Sequence, residues 1–186
     1  MNKGIAAAPE TRLLAKVAQG DHAAFRELYE SMSRSVYFYL YRILRDESLA
    51  EDVQVEVFTQ VWKGAARFQG RSKVKTWVFG IARNLAMNAL RKNRHHANID
   101  DYQHIADENQ PNPDDADRRW LLQKAMGMVS DKHREVLDLV FFQQMNYQEI
   151  AEILAISVNT VKTRVFYAKS ALRKAIGKLG VAHDEI

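Results

Sequence analysis

Four residues near the C-terminus, Asn159, Lys162, Thr163 and Phe166, recur at i, i+3, i+4 and i+7, so on a helix they share one face. Their chemistry is that of base recognition. An amide and a hydroxyl can bond base edges, an ammonium can meet phosphate or guanine, and a ring can lie against thymine methyls. Thr160, Arg164 and Tyr167 border this face, with Arg164 placed nearer the phosphates. Lys162 to Lys178 holds six basic residues and no acid. The elements around the face are those of a helix-turn-helix. Tyr147, Ile150, Ala151 and Leu154 form a short amphipathic stripe, preceded by a capping box of Asn146 and Glu149. Ala155-Ile156-Ser157 is a turn-length break, and Ser157 is an N-cap for the next helix. Val158, Val161, Val165, Ala168 and Leu172 supply that helix's buried stripe. An ordinary helical hairpin with a solvated face would share the two stripes. The turn, both caps and the run of cations favour a recognition helix for a major groove.

A second set of residues suits a different nucleic-acid chemistry. Lys63, Arg67, Arg71, Lys73, Lys75, Arg83, Arg91 and Lys92 follow one another without a single acid between them. Phe68, Trp77 and Phe79 are interleaved. A positive groove with aromatic faces suits a single strand, because stacking is worth about 1–3 kcal/mol per base and needs no particular sequence. Phe79 is expected in the core, whereas Trp77 can serve as core or as a stacking face. Thr76, Gly80, Asn84, Met87 and Arg91 form a helical stripe without a large aliphatic residue, and Gly80 there permits close approach of a backbone or base.

The third set is acidic. Asp46, Glu47, Glu51, Asp52 and Glu56 cluster on a helix whose buried side is Val53, Val57 and Val61, with Leu49, Phe58 and Trp62 beside them. Such a face repels phosphate and suits a basic protein surface. A solvated face with carboxylates near a helix N-terminus is the alternative.

Helical periodicity runs through nearly everything else. Helices are expected over Asp21–Arg45, capped by Asp21, over Leu49–Arg67, and over Ser72–Asn93, capped by Ser72, with a loop at Phe68–Arg71. Arg119–Met128 and Asp131–Phe142 precede the helix-turn-helix. Residues 95–117 lose the periodicity and collect prolines, asparagines and acids, the signature of a linker. The expected fold is all-α, with two small helical domains, 1–94 and 118–186, joined by a flexible acidic linker at 95–117. The C-terminal domain is a four-helix unit with the helix-turn-helix. Charge follows the same division. Residues 1–92 hold 15 Lys/Arg against 9 Asp/Glu, residues 93–117 one against 7, and residues 118–186 hold 11 against 7. Two basic blocks flank an acidic connector, which suggests two nucleic-acid contacts.

Composition removes several classes of function. Among 186 residues there is no cysteine, so disulfides, cysteine-ligated zinc and thiol switches within the chain are excluded. No signal-peptide core or membrane-length apolar run is present, and a soluble, cytoplasmic protein is expected. His95, His96, His104, Asp100 and Asp101 could be imagined as a nuclease metal site, but they lie in the linker and not on a rigid scaffold. No phosphate-cradling glycine loop or nucleophile motif occurs. No catalysis, cofactor or metal is therefore expected.

In this order the segments GDHAAFRELYE, AEDVQVEVFTQVW and FQGRSKVKTWVFGIARNLAMNALRK, then REVLDLVFF, YQEIAEILAIS and VNTVKTRVFYAKSALRK, resemble the two domains of an extracytoplasmic-function (ECF) sigma factor of bacterial RNA polymerase. The resemblance spans about residues 11–177. It implies that Asp52, Gln54 and Glu56 contact the clamp helices of core polymerase. It implies that Phe68, Arg71, Lys73, Lys75, Trp77, Gly80, Arg83, Asn84 and Arg91 melt and read the minus-ten element, with Asn84 holding a flipped base. Asn159, Thr160, Lys162, Thr163, Arg164, Phe166 and Tyr167 would read the minus-thirty-five element. The linker would thread toward the RNA exit path, and an anti-sigma factor would hold the protein in check in a stress or envelope response. SVNTVKT also resembles response-regulator domains, but the N-terminal half lacks their strands. Three positions depart from the family pattern. Gln54 comes one place early, which rotates it by about 100°; Asn159 replaces a glycine; and Tyr167 stands where a basic residue is common.

Overall fold

A computed structural model describes residues 8–93 and 121–180. The described elements are all helical, and they build two compact units. The expected linker, with His95, His96, Asp100, Asp101 and His104, lies outside the described residues.

The first unit opens with a helix beyond those expected from the periodicity, α1 (Pro9–Val17). Pro9 sits in its first turn, where a missing N–H costs nothing. Its end is a Schellman closure, with Gly20 N–H on Val17 O at 2.9 Å and Asp21 N–H on Lys16 O at 3.2 Å. Gly20 takes the left-handed conformation this requires, φ 86°. Asp21 then caps α2 (His22–Leu44), accepting from the N–H groups of Ala23 and Ala24. The third helix, α3 (Glu47–Gly64), starts two residues earlier than expected because the Asp46 carboxylate accepts from Leu49 N–H at 2.9 Å. It tightens into a 3-10 turn at Ala65–Arg67.

The fourth helix, α4 (Val74–Asn93), begins later than expected. Trp77 N–H bonds to Lys73 O at 3.0 Å, which puts Lys73 and not Ser72 in the flanking position. The core is made where α2, α3 and α4 pack together, from Leu28, Val36, Tyr39 and Leu40, then Val57 and Val61, then Val78, Phe79, Ala82 and Ala86. Leu14 and Val17 close it from α1.

In the second unit, α5 is helical over 121–127, followed by α6 (Asp131–Leu137). The expected helix to Phe142 changes at Asp138 into a π-helical turn, Asp138–Phe142. Gln143 N–H bonds to Asp138 O and the buried Gln143 amide donates to the Asp138 carboxylate, so one residue is accommodated without breaking the chain of hydrogen bonds. The pair α7 (Tyr147–Leu154) and α8 (Val158–Lys178) follows. Near the end of α8, Ala175 and Ile176 bury against Ala125 of α5, with Leu121, Leu172 and Leu179 around them.

One charged residue holds this unit's corner. Arg134 on α6 is 5% exposed. Its Nε donates to Met126 O at 3.0 Å and its Nη2 to Val129 O at 2.7 Å, while Nη1 lies 3.2 Å from the Asp131 carboxylate. A single guanidinium thus satisfies Val129 O beyond the end of α5 and adds a second donor to Met126 O, which also accepts from Val129 N–H. By charge alone Arg134 would be a surface residue, and nothing in the neighbouring letters marks it otherwise.

Candidate nucleic-acid interface

The helix-turn-helix is built as its sequence implies. Asn146 Oδ1 accepts from Glu149 N–H at 3.0 Å, and Asn146 N–H donates to Glu149 Oε2 at 2.8 Å, a closed capping box. The C-terminal end of α7 is a second Schellman closure, with Ala155 N–H on Glu152 O and Ile156 N–H on Ala151 O. Ala155 sits at φ 52° to make it. Ser157 Oγ accepts from Thr160 N–H at 3.1 Å and starts α8.

Val161, Val165 and Ala168 hold α8 down, which leaves Asn159, Lys162 and Thr163 exposed. Phe166 is 70% exposed and Tyr167 57%. Their rings meet edge to face, with centroids 5.5 Å apart. Rings so open to water add little to the core of this unit, and their exposed area is suited to a groove wall or thymine methyls. The Thr163 hydroxyl donates to Asn159 O at 3.0 Å, so toward a ligand it offers an acceptor and a methyl group. Thr160 and Arg164 are half-buried at the edges of this face.

The first unit arranges its candidates differently. Trp77 is half-buried, and its ring tilts against Phe68 with centroids 5.1 Å apart. The same ring lies so close over Gly64 that a Cβ there would stand 3.1 Å from it. Trp77 therefore joins the end of α3, the loop from Phe68 and the start of α4. Phe79 is fully buried against Tyr39, as expected of a core residue. Lys75 lies over the Phe79 ring at 5.8 Å. Asn84 is exposed on the same side of α4 as Trp77 and Gly80, and Arg71 is exposed in the loop. Arg91 donates to Asn88 one turn back. Lys73 and Arg83 make further electrostatic or hydrogen-bond contacts within the chain.

On α3, Glu51, Asp52 and Glu56 are exposed and Val53, Val57 and Val61 are buried. Burial, and then the carboxylates of Glu47 and Glu51, raise the pKa of the Tyr37 phenol on α2. The negative field of this helix thus reaches its neighbour. Gln54 does not join the acidic face. Its Nε2 donates to Ser33 O on α2 at 2.6 Å, the result of standing one residue out of register. The exposed residue amid the acids is Val55, 69% open to solvent. Beside it runs an aromatic seam between α2 and α3. His22 stacks on Trp62 at 4.7 Å, Phe25 meets Trp62 at 5.2 Å, and Tyr29, 40% exposed, meets Phe58 at 4.7 Å. Val55 and Tyr29 were missed in sequence. The available signal was Val55 itself, an apolar residue on the wrong side of the Val53, Val57 and Val61 stripe. Among the described residues no group of three His, Cys, Asp or Glu could hold a metal ion, and no helix is long and apolar enough to cross a membrane.

A helix-turn-helix on one helical unit and an acid-free basic helix with aromatic neighbours on the other define a DNA-binding protein of the transcription machinery. Comparisons with known proteins narrow the class. The family model for sigma-70 region 2 matches residues 28–96 and that for sigma-70 region 4 matches residues 119–172. SigW of Bacillus subtilis, an ECF RNA polymerase sigma factor, is 30% identical over 178 residues, covering 88% of this chain and 95% of the relative. SigL of Mycobacterium tuberculosis, also an ECF sigma factor, is 28% identical over 168 residues, covering 88% and 95%. Among solved structures, CnrH in complex with the cytosolic domain of CnrY matches with a TM-score of 0.70 at 21% identity, covering 94% of this chain and 100% of that one. The sigma factor RpoE in complex with the anti-sigma factor NepR, from Bartonella quintana, matches with a TM-score of 0.67 at 22% identity, covering 84% and 98%. The chain belongs to the ECF RNA polymerase sigma factors of the sigma-70 family.

Proposed function

We propose that this sigma factor acts by binding and not by catalysis, in the cytoplasm, with its surfaces divided among core polymerase, two promoter elements and an anti-sigma partner. The domains are 1–94 and 118–186, with 95–117 as the connector. Asp52 and Glu56, with Val55 between them and the Trp62 and Tyr29 seam alongside, dock on the core enzyme. The carboxylates steer a basic partner surface, and Val55 and the rings supply the apolar contact that gives such an interface its strength. Phe68, Arg71, Lys73, Lys75, Trp77, Gly80, Arg83, Asn84 and Arg91 engage the minus-ten element as it opens. Asn159, Thr160, Lys162, Thr163, Arg164, Phe166 and Tyr167 read the minus-thirty-five element.

The observation that carries this reading is the exposure of Phe166 beside Lys162 and Thr163 on a capped, rigid helix, in a chain whose other unit has an acid-free cationic helix. Each surface alone is a partial site, so specific binding needs both held at a set spacing by polymerase. An anti-sigma partner that covers the Asp52 and Glu56 face blocks core binding. Control by such a partner accords with the two structural neighbours bound to CnrY and NepR. The test is reconstitution on a promoter library. Protein plus core enzyme should transcribe from a defined set of promoters, and protein alone should shift none of them specifically. Tight, palindrome-specific binding by the protein alone would refute the division of labour.

A further inference from the structure

Helix α2 carries an aromatic residue on the side turned to water. Its buried stripe is Leu28, Met32, Val36, Leu40 and Leu44, with Tyr39 beside it. Phe38 lies about 160° around the helix from Val36. Arg34 and Arg42 stand one turn to either side of it, with their guanidinium carbons 5.8 and 6.0 Å from the centre of its ring. The Tyr37 ring meets Phe38 edge to face at 5.6 Å and stacks on Tyr41 at 6.3 Å. Arg34 and Arg45 are exposed, while Tyr37, Phe38, Tyr41 and Arg42 are half-buried. Arg34 and Arg42 make further contacts within the chain. Packing against α3 and α4 uses other residues of α2. Ser33 O accepts from the Gln54 amide, Tyr29 meets Phe58, and Tyr39 packs on Phe79. An alanine or lysine in place of Phe38 would suit the helix better.

The chemistry of this face is that of anion recognition around an apolar centre. A guanidinium over a ring uses its flat side, and the edge with its N–H donors suits a carboxylate or a phosphate in a fork. Arg34 and Arg42 are eight residues apart, about 12 Å along α2, with the ring midway. Two observations favour carboxylates of a protein over phosphates of a nucleic acid. Exposed Glu30 and Glu27 precede Arg34 by one and two turns on the same side of α2. At the other edge, burial and then the carboxylates of Glu47 and Glu51 raise the Tyr37 pKa. A continuous row of phosphates would run into these acids, whereas a protein segment can place its acids only where the arginines stand. The proposed promoter-strand surface is also at the other end of the unit. Trp77 lies over Gly64, at the end of α3 where Trp62 stacks on His22 at the start of α2. We propose that the second half of α2 is a docking site for a helix of a partner protein that carries two carboxylates two turns apart with an aliphatic side chain midway. The carboxylates meet Arg34 and Arg42, and the aliphatic side chain lies against Phe38. Such a grip leaves Asp52 and Glu56 of α3 and the rings of α4 uncovered, so it is separate from the surfaces assigned to core polymerase and promoter.

The test uses the full chain and a fluorescein-labelled, alanine-based helical peptide with Glu at i and i+8 and Leu at i+4. Binding is read by anisotropy and by chemical-shift changes in isotope-labelled protein. The shifts should concentrate at residues 34–45. Arg34→Gln with Arg42→Gln should weaken binding by about 10-fold, and Phe38→Ala by about 5-fold. These side chains lie outside the core, so circular dichroism should show the fold retained. Arg34→Glu with Arg42→Glu should reject this peptide and bind one in which Lys replaces both Glu residues, a rescue that loss of structure cannot produce. The proposal fails if the peptide shifts none of these residues, or if the arginine variants bind it as wild type does. Shifts that fall mainly on the basic helices α4 and α8 would show acids collected without a site. The proposal fails equally if a single-stranded oligonucleotide shifts the same residues with the same dependence on Arg34 and Arg42, because the face would then belong to nucleic acid.

Discussion

The recognition surface of α8 and the basic surface of α4 carry similar residue types, yet the two helices hold them in opposite ways. On α8 the side chains proposed to read the promoter stand clear of the unit that supports them. Phe166 and Tyr167 are 70% and 57% exposed, and their removal would leave the core of Val161, Val165 and Ala168 intact. On α4 the aromatic candidate belongs to the fold as well as to the surface, because Trp77 locks Gly64, Phe68 and the intervening loop together. The physical tasks differ in the same way. A duplex groove is a preformed surface, so its reader needs only a rigid helix with side chains projecting from it. An opened strand has no shape of its own, and unstacking costs a few kcal/mol, so its receptor must be preorganised to recover that cost. On this proposal the protein can vary the candidate reading residues of α8 at little cost to stability, but not Trp77 of α4.

The largest expected effect tests whether α8's independence extends to its scaffold. Arg134→Ala should destabilise the second unit by about 3 kcal/mol, since it leaves the Val129 carbonyl without a donor and removes the charged one of the two donors to Met126 O. For a unit of this size that lowers the melting temperature by more than about 10 °C, measurable by circular dichroism. Because Arg134 is in the scaffold and not on the reading face, promoter choice should be unchanged at a temperature where the variant is folded. Altered choice would tie α8's reading to the α5–α6 corner.

Next in size is Trp77→Ala, expected to lose about 2 kcal/mol of stability in the first unit, less than a fully buried tryptophan because the ring is only half-buried. Open-complex formation should fall at the same time while initial duplex binding persists, as permanganate reactivity and gel shift can separate. A variant that opens promoters normally despite its lost stability would reduce Trp77 to a core residue and dissolve the contrast with α8. Phe166→Ala should show the reverse pattern. Its stability should stay within about 0.5 kcal/mol of wild type, while preference at one base pair relaxes by about 1 kcal/mol in a promoter-library profile. A uniform loss across all sequences would instead assign the ring to backbone contact.

This contrast was half visible in the sequence. The caps at Asp21, Asn146 and Ser157 lie next to the groups they satisfy, so the starts of α2, α7 and α8 could be read from neighbouring letters. Phe79 could be sent to the core and Phe166 to the surface from their places on helical stripes. Other features depend on contacts between elements, which periodicity does not encode. Trp77 was ambiguous until Gly64, on another helix, was seen beneath it. Arg134 reads as a surface charge until the end of α5 is set against it. Gln54 was known to be out of register, but its donation to Ser33 O needed α2 in place. The π-turn at Asp138–Phe142 has no periodic signature, because one extra residue in a turn leaves the apolar pattern on either side intact.

The smallest expected effect comes from a misfit between residue and backbone. Ala155 occupies the left-handed position of the α7 closure, φ 52°, where glycine is the usual residue. A Cβ costs about 1–2 kcal/mol in that conformation. Glycine would relieve this strain but would lose about 0.5–1 kcal/mol through its freer unfolded chain. Ala155→Gly should therefore stabilise the second unit by about 0.5 kcal/mol, a rise of a few degrees in calorimetry. The exposed Ala155 only turns the chain between α7 and α8, so promoter recognition by Ala155→Gly should match wild type. If Ala155→Gly changed promoter choice, the strained turn would be part of what aims α8 at DNA. The reading face of α8 would then depend on its scaffold as Trp77 does on α4.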